Sequence, residues 1–149
     1  MRISTRTQYG FRILCQLTQE FQKGPLQLSE IGNREGISEK YLGQIMLILR
    51  NSGLVSAQRG SQGGYFLSRS PESISALEAF IALEGEVLGL GEEEAAQSPG
   101  EKARRDTSQV IAELLSRLRI AMESELGRYS LAELTALVRF RNGYLEYQI

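Results

Sequence analysis

Histidine is absent from the 149-residue chain, and Cys15 is its one cysteine. These absences exclude an intrachain disulfide and a zinc site built from cysteine and histidine ligands of a single chain. A four-cysteine iron–sulfur site and any catalysis that depends on histidine, including a Ser-His-Asp triad, are excluded too. Carboxylate or lysine chemistry stays open, but no nucleophile and base pair is visible. We therefore do not expect an enzyme.

Long apolar runs are also missing. No stretch approaches the roughly 18 apolar residues that a membrane span needs. The first residues lack the continuous apolar segment of a signal peptide, because arginines and polar residues interrupt them. With only three prolines, the composition is typical of an ordered, mostly helical protein. We expect a cytoplasmic protein without a membrane partner, folded as one domain or as a small domain with an arm.

The net charge of −1 conceals an uneven distribution of charge. Residues 1–70 hold nine Lys/Arg and four Asp/Glu, a balance of +5, whereas residues 71–149 hold eight and fourteen, a balance of −6. A basic half joined to an acidic half predicts that only the first half binds a polyanion such as nucleic acid. Chance clustering of charge is the alternative.

The first half of the chain has the order of elements of a winged helix-turn-helix. A helix capped by Thr5 or Thr7 and a short helix capped by Ser29 precede Gly36, a turn residue expected to have positive φ. Ser38 caps a longer helix that Gly53 ends. Two short strands, residues 54–58 and 65–67, follow this helix and flank a glycine-rich turn. The predicted stripe of the longer helix contains Leu42, Ile45, Met46 and Leu49.

Major-groove recognition needs a helix whose first turns present hydrogen-bond donors and small side chains. Gln44 can make paired hydrogen bonds to adenine, and Lys40 can reach a phosphate or a guanine. In the glycine-rich hairpin, Arg59 can enter a narrow minor groove. A plain tight turn with a solvated arginine is the alternative for the hairpin. The predicted DNA-binding residues are Ser38, Lys40, Tyr41, Gln44, Arg50, Arg59, Ser61, Gln62 and Gly63.

The second half of the chain begins with a helix over residues 71–83, which Pro71 starts. We interpret residues 85–100 as an acidic, glycine-containing loop. Its run Glu92–Glu94 is a solvated segment or, alternatively, part of a site for a hard cation. Ser130 caps a last helix, and residues 140–149 form a possible docking segment. The predicted domains are 1–84 for DNA binding, 85–100 for the loop and 101–149 for dimerisation and docking.

The longest helical pattern covers residues 101–126 and carries one apolar stripe. Two such helices packed across a two-fold axis would bury the stripe, so we predict a homodimer. The alternative is that the helix folds back onto its own domain. The predicted interface residues are Ile111, Leu114, Leu115, Leu118 and Met122.

Three ordered segments resemble the Rrf2 family of bacterial winged-helix transcription regulators: MRISTRTQYGFRIL, GISEKYLGQIMLILRNSGLV and RGSQGGYFLSRSPESI. The resemblance is close over residues 1–84 and looser in the long helix and in YSLAEL. It implies a mainly α, winged helix-turn-helix fold with a two-stranded wing and a long C-terminal dimerisation helix. It also implies a homodimer on a two-fold operator in double-stranded DNA, and repression or activation of genes for iron–sulfur assembly, iron, cysteine or redox metabolism.

The resemblance also assigns individual residues. Tyr41, Gln44 and Arg59 match family residues that contact DNA. Many members have a glutamate that helps to choose bases where this chain has Gly43. The resemblance therefore implies a different operator or a lower base selectivity for this chain.

Sensor members of the family place three cysteines between positions corresponding to residues 81 and 110, and these bind an iron–sulfur cluster. This chain has no cysteine there, and its carboxylates are hard ligands that replace thiolates poorly. We therefore expect no cluster and no other cofactor. Cys15 is expected to be a buried structural residue, since a redox role needs exposure and a lowered pKa. The alternative function is a winged-helix interaction module whose acidic half binds an enzyme or effector protein.

Overall fold

The computed structural model describes the backbone of residues 3–87 and 101–146, and the side chains of residues 3–87 and 107–143. Within these ranges the chain is mainly α-helical, with one antiparallel pair of strands after the third helix. This architecture confirms the predicted winged helix-turn-helix with a long C-terminal helix. The elements are α1 (Thr5–Gln19), α2 (Leu28–Glu35), α3 (Glu39–Asn51), β1 (Val55–Gln58), β2 (Gly64–Leu67), α4 (Ala76–Glu84), α5 (Glu101–Gly127) and α6 (Leu131–Glu146).

The start of α1 differs from the sequence prediction. Ser4, rather than Thr5 or Thr7, is the N-cap, and its hydroxyl accepts a hydrogen bond from the backbone N–H of Thr7. The predicted cap was therefore wrong, and a distant group also bonds to this end of the helix. The carboxylate of Glu84, at the last position of α4, accepts hydrogen bonds from the hydroxyls of Ser4 and Thr7.

The predicted cap of α2 was also wrong. Gln27 occupies the N-cap position without a side-chain hydrogen bond, and Ser29 is exposed in the first turn. The entry to α2 is fixed instead by Leu26, which pairs with Tyr65 of β2. Each backbone N–H donates to the other residue's carbonyl, over 2.9 and 2.8 Å. The wing is therefore bonded directly to the start of the helix-turn-helix.

The helix predicted from Pro71 begins later than expected. Pro71–Ser73 forms a 3₁₀ turn, and α4 starts after Ser75, whose hydroxyl forms a capping box with Glu78. The predicted cap of α6 was correct, because the Ser130 hydroxyl accepts a hydrogen bond from the backbone N–H of Glu133 over 3.2 Å.

One buried apolar cluster joins the helices to the base of the wing. Gly10 of α1 is buried against Leu83 of α4, and a Cβ atom at Gly10 would lie 2.4 Å from a Leu83 methyl carbon. α1 and α4 therefore approach each other closely at this glycine. Thr7 and Thr135 are the buried polar residues among those described. The cluster contains Ile13, Leu14, Leu17, Leu26, Ile31, Leu42, Ile45, Met46, Leu49, Leu54, Val55, Leu67, Ile74, Ala79, Leu83 and Leu131.

The apolar stripe predicted on the long helix is divided between two faces of α5. This helix packs on α4, and Leu115, Met122 and Leu126 are half-buried within the chain itself. The remaining members of the stripe face away from the domain. They are 49–65% exposed, and they are Ile111, Leu114 and Leu118.

One further prediction, that for Cys15, needs correction, and others lie partly or wholly outside the described residues. Cys15 is half-buried rather than buried, because it lies at a groove between α1 and α6. Residues 140–146 continue α6 as a helix, and their docking role stays a prediction. The run Glu92–Glu94 and residues 147–149 lie outside the described residues. None of the helices within the described ranges has the combination of length and apolar character that crossing a membrane requires.

Candidate nucleic-acid interface

The turn between α2 and α3 sets the angle of the helix-turn-helix. Gly36 has φ of +66°, as predicted, a conformation that glycine adopts without strain. Gly32 is buried, and a Cβ atom there would lie 3.1 Å from the carbonyl oxygen of Ile37. Ile37 itself packs against the core. Two glycines and one apolar corner residue therefore hold the two helices close together.

The position of α3 follows from its cap and its buried stripe. The Ser38 hydroxyl accepts a hydrogen bond from the backbone N–H of Tyr41 over 3.3 Å, which confirms the predicted cap. Burial of the stripe Leu42, Ile45, Met46 and Leu49 turns the opposite face of α3 outward. The exposed side chains on this helix include Lys40, Gln44, Leu47 and Arg50.

Tyr41 differs from the other predicted DNA-binding residues of α3. Its ring is half-buried and meets the ring of Tyr9 edge to face, with 6.2 Å between centroids. The Arg12 guanidinium carbon lies 5.3 Å from the centroid of the Tyr9 ring. Tyr41 is thus held against α1, so it joins the recognition helix to the first helix of the domain.

The arginine of the wing lies at an exposed turn. Arg59 and Ser61 are exposed, and Gly60 has φ of +112°. Arg59 forms no ion pair with any residue whose side chain the structure describes. An exposed arginine without a carboxylate partner remains available to a phosphate or a groove edge.

Gly63 shapes the turn rather than facing outward. It is buried, and a Cβ atom there would lie 2.3 Å from the Gln58 carbonyl oxygen. At Gly64, a Cβ atom would lie 2.3 Å from the Leu26 carbonyl oxygen. The glycines therefore let the hairpin close and let its base bind to the segment before α2.

A groove of about 620 Å³ separates the wing from the helix-turn-helix. Arg50 comes from the last turn of α3 and Arg59 from the wing, with Glu39 as the acidic member. The groove also includes Ser29 and Gln58, two polar residues that the sequence reasoning did not select for DNA binding. The sequence could have indicated Ser29 and Gln58 as candidates, because each is a polar residue next to a predicted turn or helix start.

The predicted site is therefore assembled from two elements. Lys40 and Gln44 lie on the outward face of α3, while Arg50 and Arg59 flank the groove toward the wing. This arrangement can place a helix in a major groove and the wing against the neighbouring backbone or minor groove. These residue roles remain predictions.

Iron–sulfur clusters are held mainly by cysteine thiolates, and this chain has a single cysteine. Its one thiol, Cys15, lies in α1, and the pKa of this thiol is raised by burial. The hydroxyl of Thr135 opposes that shift, and the nearby Glu35 carboxylate adds to it. Among the described residues, no group of three or more His, Cys, Asp or Glu is placed to hold a metal ion.

Comparison with known proteins identifies the relatives of this chain. Residues 3–137 match the Rrf2 family, described as an iron-dependent transcriptional regulator. The HTH-type transcriptional regulator CymR of Bacillus subtilis (strain 168) is 35% identical over 136 residues, which is 91% of each chain. The structure of CymR, the global cysteine regulator of B. subtilis, is similar with a TM-score of 0.72 and 32% identity, covering 92% of this chain and 98% of that chain. The structure of T. potens IscR is similar with a TM-score of 0.71 and 30% identity, covering 93% of this chain and 88% of that chain. The chain therefore belongs to the Rrf2 family and is a DNA-binding transcription regulator of that type.

Proposed function

We propose that this regulator binds a two-fold operator as a homodimer in the cytoplasm, with α3 and the wing of each copy in one half-site. The observation that carries the proposal is the outward row on α5. Ile111, Leu114, Leu118 and Ala121 are exposed and follow one another at spacings of three, four and three residues. That alternation is the apolar repeat of a helix that packs against a second helix. The neighbouring, half-buried face of α5 is already used within the chain.

The test is the state of association of the full chain. Replacing Leu114 by Lys should convert the dimer to a monomer, because the change places a charge in the apolar row. Size-exclusion chromatography with light scattering measures the mass, and fluorescence anisotropy measures operator affinity. Both should change together, since a monomer reaches only one half-site.

Ile120→Lys is the matched control for that experiment. Ile120 is 58% exposed, but it lies on another face of α5, outside the row. The proposal expects a dimer and full operator affinity for this variant. A monomeric wild-type chain, or a Leu114→Lys dimer, would contradict the proposed pairing.

We also propose that the regulator works without an iron–sulfur cluster. Support comes from the single cysteine and from its place in α1, outside the segment of residues 81–110. Iron and acid-labile sulfide should be well below one cluster per chain in protein purified without oxygen. About one cluster per chain in that assay would reject the proposal.

A protein effector is the competing role for the acidic half. Its support is the exposed apolar surface of α6, where Leu137 and Val138 are 51% and 41% exposed. Capture of a stoichiometric protein partner, with no footprint on any genomic fragment, would favour an interaction module. A footprint with two-fold symmetry would favour the operator-binding dimer.

A further inference from the structure

Leu47 is an apolar side chain on the outward face of the recognition helix. It is 55% exposed, although Leu42, Ile45, Met46 and Leu49 of the same helix are completely buried. Leu47 follows Gln44 by three residues, so the two side chains are neighbours on the helix surface. A large apolar group thus lies beside a side chain suited to bonding a base.

Gly43, one turn before Leu47, leaves the space next to this leucine empty. A Cβ atom at Gly43 would meet no atom within 4 Å. Side chains of an α-helix lean toward its N-terminus, so the surface covered by Leu47 lies over the turn that contains Gly43. Position 43 therefore carries no side chain that could cover Leu47.

The rise of the helix from Gln44 to Leu47 is comparable to one base step of DNA. Three residues of α-helix advance about 4.5 Å, while successive bases on one strand are about 3.4 Å apart. Leu47 therefore lies about one base step from the base that Gln44 can contact. Among the four bases, thymine alone presents a methyl group in the major groove, where apolar side chains contact it.

We propose that Leu47 is a specificity-determining residue that packs on the C5-methyl group of a thymine in each half-site. The inference rests on the proposed operator binding through α3. The open space at Gly43 lets the leucine reach that methyl without an intervening polar group. The chain thus reads one position of its operator by apolar contact rather than by a hydrogen bond.

The experiment removes only the C5-methyl group of one thymine at a time from the operator. An operator selected from genomic fragments with the full chain is synthesised with deoxyuridine in place of each thymine in turn. Affinity is measured by fluorescence anisotropy at fixed salt concentration. At one position in each half-site, the substitution should weaken binding by about fourfold, the effect of losing one buried methyl group.

Variants of the chain assign that effect to Leu47. In Leu47→Ala the deoxyuridine penalty should disappear, because the contact is already absent. In Leu47→Met it should persist, since methionine keeps an apolar side chain of similar size. Lys40→Gln, on the same face of α3, is the control and should weaken binding to thymine and uracil operators equally.

The outcomes separate this inference from the function on which it rests. A thymine-specific penalty that is lost in Leu47→Ala and kept in Leu47→Met supports it. Operator binding without any methyl dependence, or with a penalty that survives in Leu47→Ala, overturns it and leaves operator binding intact. Failure to select any DNA overturns both.

Discussion

The carboxylate of Glu84, the last residue of α4, accepts a 2.6 Å hydrogen bond from the hydroxyl of Ser4, the N-cap of α1. The same carboxylate accepts a hydrogen bond from the hydroxyl of Thr7, and the backbone N–H of Ser4 donates to it over 3.3 Å. The hydrogen bond from the Ser4 hydroxyl, followed by that from Thr7, holds the pKa of Glu84 below its ordinary value of 4.5. One carboxylate thus joins two helix ends that are 80 residues apart.

Replacing Glu84 by Gln should lower the free energy of unfolding by less than about 1 kcal/mol, because hydrogen bonds to a charged acceptor are stronger than those to a neutral one and solvent screens this partly exposed carboxylate. The loss should depend on pH. Because the pKa is lower in the folded chain than in the unfolded chain, the carboxylate stabilises the fold above pH 4.5, and this contribution is lost as the pH falls through the folded-state pKa. Urea unfolding at about pH 7 and about pH 3 measures the difference.

Glu86→Gln is the control for that comparison, since Glu86 is exposed two residues beyond Glu84. This variant should match the wild type at both pH values. An equal loss of stability in Glu84→Gln at neutral and acid pH would contradict the role given to the charged carboxylate.

Replacing Arg59 by Ala should weaken operator binding and flatten its dependence on salt. Each phosphate contact that is removed lowers the slope of log affinity against log salt by about 1. Anisotropy titrations over a range of salt concentrations measure that slope. Arg139→Ala, an exposed arginine on α6, should keep the wild-type slope. An unchanged slope in Arg59→Ala would mean that the wing arginine does not meet the DNA backbone.

Replacing Gly63 by Ala should disrupt the wing while the helices remain folded. The new Cβ atom would lie 2.3 Å from the Gln58 carbonyl oxygen, so the turn must open. We expect faster hydrogen exchange of the β1 and β2 amides and a weaker operator complex, with little change in helical content. Gly127→Ala is the control, because a Cβ atom at Gly127 meets nothing within 4 Å. Unchanged exchange in the Gly63 variant would contradict the steric argument.

Cys15 should react slowly with iodoacetamide while the chain is folded. Burial raises the pKa of this thiol, and the thiolate is the reactive form. Mass spectrometry of samples alkylated for increasing times, with and without urea, measures the protection. Equal rates in both samples would show that the thiol is open to solvent, and would revive a redox role for it.

Local patterns predicted the elements that local contacts stabilise. The cap at Ser38, the positive φ of Gly36 and the buried stripe of α3 each depend on residues within a few positions, and all three are confirmed. The cap of α1 is equally local, but several hydroxyl residues stand next to one another at this end, and the prediction chose Thr5 or Thr7 instead of Ser4. No local pattern could indicate Glu84, which the fold brings to Ser4 from a distant part of the sequence.

The candidate site was predictable in outline and not in its detail. The sequence indicated which residues of α3 face outward, because periodicity alone separates Gln44 from Leu42. It did not separate the two faces of α5, since Leu114 and Leu115 both belong to one broad apolar stripe. Only the packing of α5 on α4 shows which of them remains exposed.

The two faces of α5 have a consequence for the spacing of half-sites. Leu115 and Met122 lie on the half-buried face, while Leu114 and Leu118 lie on the exposed face of the same helix. For a dimer paired through the exposed face, the angle around α5 between the two faces sets how each DNA-binding domain is rotated about the two-fold axis. Each residue inserted into the helix changes that angle by about 100°. In the proposed dimer, the number of base pairs between half-sites would therefore depend on this angle, and an insertion in α5 should alter operator spacing without changing any residue predicted to contact DNA.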